Sequence, residues 1–309
     1  MQSSNVNVEI NLLRIRENVL SISAKAGLDV IAVVKADGYG LGAREIAQTI
    51  GSLVAGFCVF SLQEAKSAGL WEIARKPILA LGPSFDIDVN EYVSAHVRPA
   101  VWTVDEARRL RPARPILAVD TGMRRFACPP EHLDEVIAAG QIDEAFTHAT
   151  QLKHAQLLAS WLGNRGLRLH AAASGLLDEP AARFDAVRPG MAIYRGAARV
   201  ATHLVETRDG DGPAGYSEFN AARFGVILCG YSNGLRRGPC LVNGQPRSVL
   251  EVGMQSAFVE IGPGDKAGDE VVLLGDSPSA ADVARAWGAS EQQALFYLVN
   301  VGRRTYRGG

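Results

Sequence analysis

The stretch VIAVVKADGYG, residues 30–40, decides how the chain is read. Val30, Ile31, Val33 and Val34 form a strand-favouring apolar run. The run ends in Lys35, and Ala36-Asp37-Gly38-Tyr39-Gly40 follows at once. A buried strand has no structural need for a cation at its tip, and glycines on both sides of Tyr39 mark a turn that admits close approach. Two explanations fit Lys35. Its ammonium can snorkel out of a strand end along its own methylenes. Alternatively, an amine at the mouth of an apolar barrel is partly desolvated, which lowers its pKa and makes it a Schiff-base nucleophile toward an aldehyde.

Similar apolar runs recur along the chain: GFCVFS (56–61), PILALG (77–82), RPAVWT (98–103), PILAVDTG (115–122), EAFTHA (144–149), RLHAAAS (168–174) and AVRPGMAIYRG (186–196). Between them stand amphipathic patterns such as AREIAQTI, LQEAKSAGL, VDEARRLR, PEHLDEVIAAG and KHAQLLASWLG. Strand and helix alternating through residues 8 to about 200 predict an α/β fold with a TIM-type (β/α)8 barrel, whose active residues belong where strands end and loops begin. Polar groups do recur there. Asp120, Thr121, Arg124 and Arg125 close one run, His148 the next, then His170 with Ser174, then Arg188 with Gly190. Each alone has an ordinary explanation: turn caps for Asp120 and Thr121, a core histidine at 170, a surface charge at 188. Independent accidents would scatter such residues to both ends of the strands.

After residue 205 the texture changes. TRDGDGPAG (207–215) is a break, and the runs that follow, ARFGVILCGY, CLVNGQPRSVLEV, SAFVEIG and GDEVVLLG, are short and strand-like. Asn243-Gly244 between two of them is a hairpin signal, and ADVARAW (281–287) reads as a short helix. The expected division is a barrel over 1–205 and a smaller, mostly-β domain over 206–309. A formal net charge of −1 with no basic block argues against a nucleic-acid partner. No apolar run approaches a membrane span, and the first residues are too polar for a signal peptide. Four scattered cysteines, Cys58, Cys128, Cys229 and Cys240, fit reduced thiols in a cytoplasmic protein better than a disulfide frame or a metal site.

The motifs taken together resemble the alanine racemase family, the fold-type III pyridoxal-phosphate enzymes. AVVKADGYGLG is similar to the family's cofactor-lysine motif, VDTGMRRF to its substrate-arginine motif, HAAASG to its histidine-serine motif and AVRPGMAIYRG to its pyridine-arginine motif. GYSEF (215–219), RFGVILCGYSNG (223–234), LEVGMQSAFVEIG (250–262) and GDEVVLLG (268–275) follow in the family's order. The resemblance implies pyridoxal 5'-phosphate held by Lys35, with Tyr39, Ser174, Gly190 and Met191 at its phosphate, Arg188 at its ring nitrogen and His148 nearby. It implies Arg125 at the substrate carboxylate, with Tyr231 and Met254 at the substrate pocket. It further implies a homodimer, in which Tyr216 of the partner subunit works on the face of the substrate opposite Lys35. Racemisation needs such a pair, one group removing the α-proton and another returning it from the far side. A phenol is a weak base near neutral pH, so Arg125 by charge and His148 by hydrogen bonding would have to activate it.

The chain also departs from the family pattern. Ala118 stands where a carbamylated lysine often supports the substrate arginine, and Ala173 where an asparagine precedes the serine. Asn233 and Gln255 replace aspartates, and the C-terminal tyrosine of the family has no match in EQQALFYLVN, although Tyr297 lies close. The chain is shortened between Arg125 and Arg188 and again between Tyr216 and Tyr231. Retained cofactor residues in an altered surrounding leave alternatives to racemisation of alanine: a nonstandard amino acid, a lyase acting through the same cofactor linkage, or a non-catalytic cofactor-binding protein. The last class lacks a β domain, and residues 216–309 argue against it. A decarboxylase of the same fold type would need a cysteine-centred CGP-like motif, which is missing.

Overall fold

The computed structural model describes residues 3–308 except Asp86. Its strands are β1 (Ser3–Asn11), β2 (Asp29–Val33), β3 (Gly56–Val59), β4 (Ile78–Ala80), β5 (Val97–Val101), β6 (Ile116–Ala118), β7 (Glu144–Phe146), β8 (Arg168–His170), β9 (Ala186–Val187), β10 (Ala198–His203), β11 (Glu206–Asp209), β12 (Arg223–Ile227), β13 (Pro239–Val242), β14 (Gln245–Val252), β15 (Ala257–Glu260), β16 (Glu270–Leu274) and β17 (Gly302–Arg307). Contacts divide the chain into two compact units. One comprises Ile15–Gly38 and Gly42–Ile193; the other comprises the residues before Ile15, Tyr39–Leu41 and those from Tyr194 onward. The expected boundary near residue 205 lies between β10 and β11, both in this second unit.

The first unit is the barrel. β2 to β9 run parallel in sequence order and close when β2 pairs with β9 through Asp29–Ala186 and Val30–Val187. Parallel strands covered on both sides carry near-continuous apolar runs rather than alternation. Accordingly every residue of β3, β4, β6 and β7 is buried. Helices cover the outside. Ala43–Ile50 turns Ala43, Ile46, Ala47 and Ile50 inward at helical spacing. Leu62–Ala68 is capped by Ser61, whose side chain accepts the Glu64 N–H, and Val104–Leu110 by Thr103, which accepts that of Glu106. Each aliphatic side chain fully buried in this way stabilises by roughly 1.5–3 kcal/mol.

The amino ends of the strands are closed by charge. Glu144 in β7 pairs with Arg98 of β5 and Arg168 of β8, and accepts from His170 Nε2 at 3.0 Å. Arg168 also reaches Asp29 of β2 at 2.8 Å. Burial by itself would raise the Glu144 carboxyl. The hydrogen bond from His170 and the charges of Arg98 and Arg168 outweigh it and hold the group at about 2.

The second unit is built on a nine-stranded sheet, ordered β11-β12-β15-β14-β13-β16-β10-β1-β17. β1 lies antiparallel to β10 and parallel to β17. Val6, Val8 and Ile10 alternate along β1 and are buried. Asn243 and Gly244 form the two-residue loop of the β13–β14 hairpin, both at positive φ, as the type I′ geometry requires. Helices Ala280–Trp287 and Glu291–Val299 each begin with a capping box, Ser279 with Asp282 and Ser290 with Gln293. The sequence reading placed the first of these helices and passed over the second, and also β1 and β17. All four cysteines are free and buried. Among the described residues no helix is long and apolar enough to cross a membrane.

Candidate active site

At the carboxyl end of the barrel, Lys35 follows β2 by two residues and turns straight into unusual backbone. Ala36, Asp37, Gly38 and Tyr39 have φ of 52°, 55°, 62° and 60°, a left-handed run. Two carboxylates hold it, Glu64 from the helix after β3 and Asp37 from within the run itself. Glu64 accepts the N–H of Ala36 at 3.0 Å and of Phe60 at 2.7 Å, and Asp37 accepts that of Ala43 at 2.9 Å. Gly38 sits tightly, since a Cβ there would lie 2.4 Å from Ile46 Cδ1 and the end of that side chain would have to shift. Burial first, then the positive charge of Arg125, lowers the Lys35 pKa below its ordinary value, with Arg188 adding to the effect.

Arg188, just past β9, is 3 % exposed. Its Nη2 donates to the Thr147 carbonyl at 2.6 Å, its guanidinium lies 4.8 Å from the centroid of the Phe146 ring, and its Nε has no hydrogen-bond partner. His170 stacks parallel to the same ring with centroids 5.7 Å apart. Burial pushes His170 down to about 4, so it is neutral near pH 7 and its Nε2–H donates to Glu144. His148 lies accessible in the loop after β7. Its desolvation, followed by the charges of Arg188, Lys35 and Arg125, pushes it down to about 4. His148 is therefore a neutral hydrogen-bonding group and not a cation.

Ser174 Oγ accepts the N–H groups of Gly190 and Ala192, both at 3.0 Å. The family resemblance implies the backbone of Gly190 and Met191 at a phosphate here; the Met191 side chain is buried, and the second N–H on Ser174 Oγ comes from Ala192. The loop bearing Arg125 is closed by Cys128 N–H to the Ala118 carbonyl and by Asp120 N–H to that of Cys128. Asp120 Oδ1 also accepts from Gly122 at 2.8 Å and Arg124 at 3.0 Å, and Thr121 Oγ1 meets Thr147 Oγ1 at 2.7 Å. Asp120 and Thr121 thus shape the loop, and Arg125 stands exposed upon it.

The sheet unit gathers a second set. The ring of Tyr39 packs 5.0 Å from that of Tyr194, and Arg304 donates to the Gly40 carbonyl at 2.9 Å. Tyr231 N–H donates to Gly253, and Ser232 N–H to Met254. Gly230 makes this approach possible, because a Cβ on it would lie 2.3 Å from the Met254 carbonyl oxygen. Asn233 Oδ1 caps the same turn by accepting from Gly230. A Cβ on Gly253 would lie 3.9 Å from the Tyr216 ring. Tyr216, Tyr231 and Met254 therefore share one corner of this unit, and all three are exposed. Glu251 accepts the N–H of Tyr216 at 2.8 Å and of Ser217 at 2.6 Å, and these bonds, the Ser217 side chain's foremost, hold its carboxyl below the usual range. Tyr297 lies beside the end of the same turn, where a Cβ on Gly234 would be 3.7 Å from its ring, and under the Arg236 guanidinium.

Glu64, Ala192 and Glu251 escaped the sequence reading. A signal for Glu64 was present in Ser61-x-x-Glu64, a capping-box spacing; Glu251 gave none, as its partners lie 34 and 35 residues away. The barrel set is suited to an anionic aromatic cofactor carrying an aldehyde. It offers a desolvated amine, a serine bracketed by backbone N–H groups, and a buried guanidinium with an unpaired N–H. Among the described residues no cluster of His, Cys, Asp and Glu is arranged to hold a metal.

Comparison with known proteins gives matches to two family models, the alanine racemase N-terminal domain over residues 10–198 and the alanine racemase C-terminal domain over residues 214–307. The alanine racemase of Pectobacterium atrosepticum is 30% identical, covering 94% of this chain and 95% of that protein. Among solved structures, alanine racemase from a D-cycloserine-producing Streptomyces lavendulae superposes with a TM-score of 0.89 at 23% identity, covering 100% of this chain and 98% of that one. The Bartonella henselae enzyme, solved with covalently bound pyridoxal phosphate, gives 0.86 at 22% identity over 99% and 100%.

Proposed function

We infer the function from the premise that the chain belongs to the alanine racemase family: it is a pyridoxal-phosphate-dependent amino-acid racemase. The observation that carries this reading is Lys35, a desolvated amine at a barrel strand end in the same unit as a buried Arg188 whose Nε–H is unpaired. Bound there, pyridoxal 5'-phosphate supplies the electron sink that makes the α-proton of an amino acid acidic.

The chain's residues do the rest. Lys35 holds the cofactor and then serves as base on one face of the α-carbon, a task its lowered pKa suits. Tyr216 of the partner subunit returns a proton from the other face. Arg188 would donate to the ring nitrogen and, as a guanidinium, could not give up its proton to it, which would moderate the electron sink and disfavour transamination. Ser174 and the backbone of Gly190, Met191 and Ala192 take the phosphate, with Tyr39. Arg125 binds the substrate carboxylate, His148 donates a hydrogen bond as a neutral imidazole, and Tyr231 and Met254 line the substrate pocket. The working form is a cytoplasmic homodimer with shared sites, acting on a small amino acid.

Alanine is the first candidate substrate. One observation favours another small or nonstandard amino acid: Ala118 stands where the family often has a lysine that supports the substrate arginine, and Arg125, exposed on its loop, makes no hydrogen bond or ion pair among the described residues. The test is a screen of L-amino acids with the purified protein in deuterated water, following α-proton exchange by NMR and inversion by chiral chromatography. Exchange with inversion names the substrate. Exchange that leads to elimination instead would replace racemisation by a lyase reaction.

A further inference from the structure

A general acid must be held close to its target, yet Tyr216 is 92% exposed on its own subunit, so packing within that subunit does not fix the ring. The backbone beneath it is fixed instead. Ala214 N–H bonds to the Phe219 carbonyl at 2.9 Å and closes the loop. Phe219 anchors one end by edge contacts with Phe224 and Phe258, at 5.5 and 5.3 Å between centroids. Under the tip stands the Glu251 carboxylate, one oxygen on the Tyr216 N–H and the other on the Ser217 N–H. Two successive N–H groups converging on one anion form charge-assisted bonds, stronger than neutral ones.

Two further details show that the fit is close. Gly215, at φ 71°, lies so near the carboxylate that a Cβ on it would sit 2.5 Å from Glu251 Oε1. On β14, the register with β15 slips between Val249 and Glu251, so that Glu251 faces Phe258; a bulge of this kind re-aims a side chain. Glu251 also precedes Gly253 and Met254 on the same stretch, so its grip ties the tyrosine loop to the corner that carries Tyr231.

We propose that Glu251 is the positioning residue for Tyr216: its carboxylate, bonded to two consecutive backbone N–H groups, sets where the phenol stands for proton transfer to the α-carbon. This rests on the reading of Tyr216 given above. Glu251 acts in this role through the backbone of the tyrosine loop.

The experiment uses holoenzyme of the wild type, Glu251→Gln, Glu251→Ala and Tyr216→Phe, with each antipode of the substrate in deuterated water. Exchange and inversion are measured separately, and cofactor loading is read from absorbance. Glutamine keeps the shape and one acceptor, so its effect should lie between wild type and alanine. Expected are unchanged cofactor loading and a fall in kcat for inversion of about ten- to a hundredfold, the scale of a misplacement near 1 Å. With one antipode, whose proton Lys35 removes, exchange events per inversion should rise. With the other, both should slow. Unchanged inversion in both Glu251 variants beside a defective Tyr216→Phe would overturn the positioning role alone. So would exchange and inversion falling by one common factor for both antipodes, the mark of a merely structural residue. Normal inversion by Tyr216→Phe would overturn the assignment of Tyr216, and the role of Glu251 with it.

Discussion

Lys35 leaves its strand into four successive residues of left-handed backbone, three of them not glycine. Such conformations cost of order 1–3 kcal/mol each in ordinary residues and persist where the surroundings over-determine them. Glu64 and Asp37, each accepting a backbone N–H, are what holds this turn. If Lys35 carries the cofactor, borohydride reduction of the holoprotein should fix the label on the peptide containing residue 35; a label on another lysine would refute it. Arg188 gives a second test. Replacing it with glutamate supplies a group that shares a proton with the ring nitrogen and strengthens the electron sink. Arg188→Glu should accumulate a new long-wavelength absorbing species with substrate while losing racemisation; an unchanged spectrum with an unchanged rate would contradict the role. Lys35 and Arg188 were legible in the sequence because a charge at the end of an apolar run is conspicuous. Glu251 was not, because a carboxylate that binds backbone N–H groups 34 and 35 residues away leaves no local pattern; for Glu64 only the capping-box spacing Ser61-x-x-Glu64 pointed to it.

Among the elements, most barrel strands were legible, since strands buried on both faces need unbroken apolar runs and their polar ends stand out against them; AVRPGMAIYRG is the exception, its strand being only Ala186–Val187 and Met191–Tyr194 turning helical. β1 was overlooked although NVNVEIN alternates strictly, and β17, GRRTYR, offers no apolar alternation at all: its place comes from pairing with β1, 302 to 307 against the chain's first strand. The charged end of the barrel has a measurable consequence. His170 titrates at about 4 against 6.5 ordinarily, and Glu144 at about 2 against 4.5. Below pH 6.5 the unfolded chain takes up protons at these positions before the folded chain does. The stability they contribute is therefore full above 6.5 and is lost as the pH falls through about 4 and then about 2. Glu144→Gln should cost roughly 3 kcal/mol at pH 7 by leaving Arg98 and Arg168 without their buried partner, and the difference from wild type should shrink toward pH 2–3. Denaturant titrations at the two pH values check this, and an equal difference at both would contradict it. In the sheet unit, Gly230→Ala places a methyl against two carbonyl oxygens at 2.3 and 2.4 Å. Overpacking of this kind costs about 1–3 kcal/mol, so the melting temperature should fall and KM should rise; a wild-type melting curve would show that the Tyr231 and Met254 loops do not need this approach.

For the whole molecule, the two family matches extend over both units, 10–198 and 214–307. Lys35 and Tyr216 belong to different units, and the proposed two-base reaction has both act on one substrate. The proposed arrangement pairs Lys35 with Tyr216 of the partner subunit. The most direct measurement mixes two inactive variants, Lys35→Ala and Tyr216→Phe, under conditions that let dimers exchange, and follows racemisation. A hybrid dimer has one site with both residues intact and one with neither, so random assortment restores about a quarter of all sites. Activity should therefore rise from near zero to about a quarter of the wild-type value and fall again on dilution below the dimer's dissociation constant. No recovery on mixing, together with wild-type activity that is independent of dilution, would place both residues in one subunit and contradict the shared site.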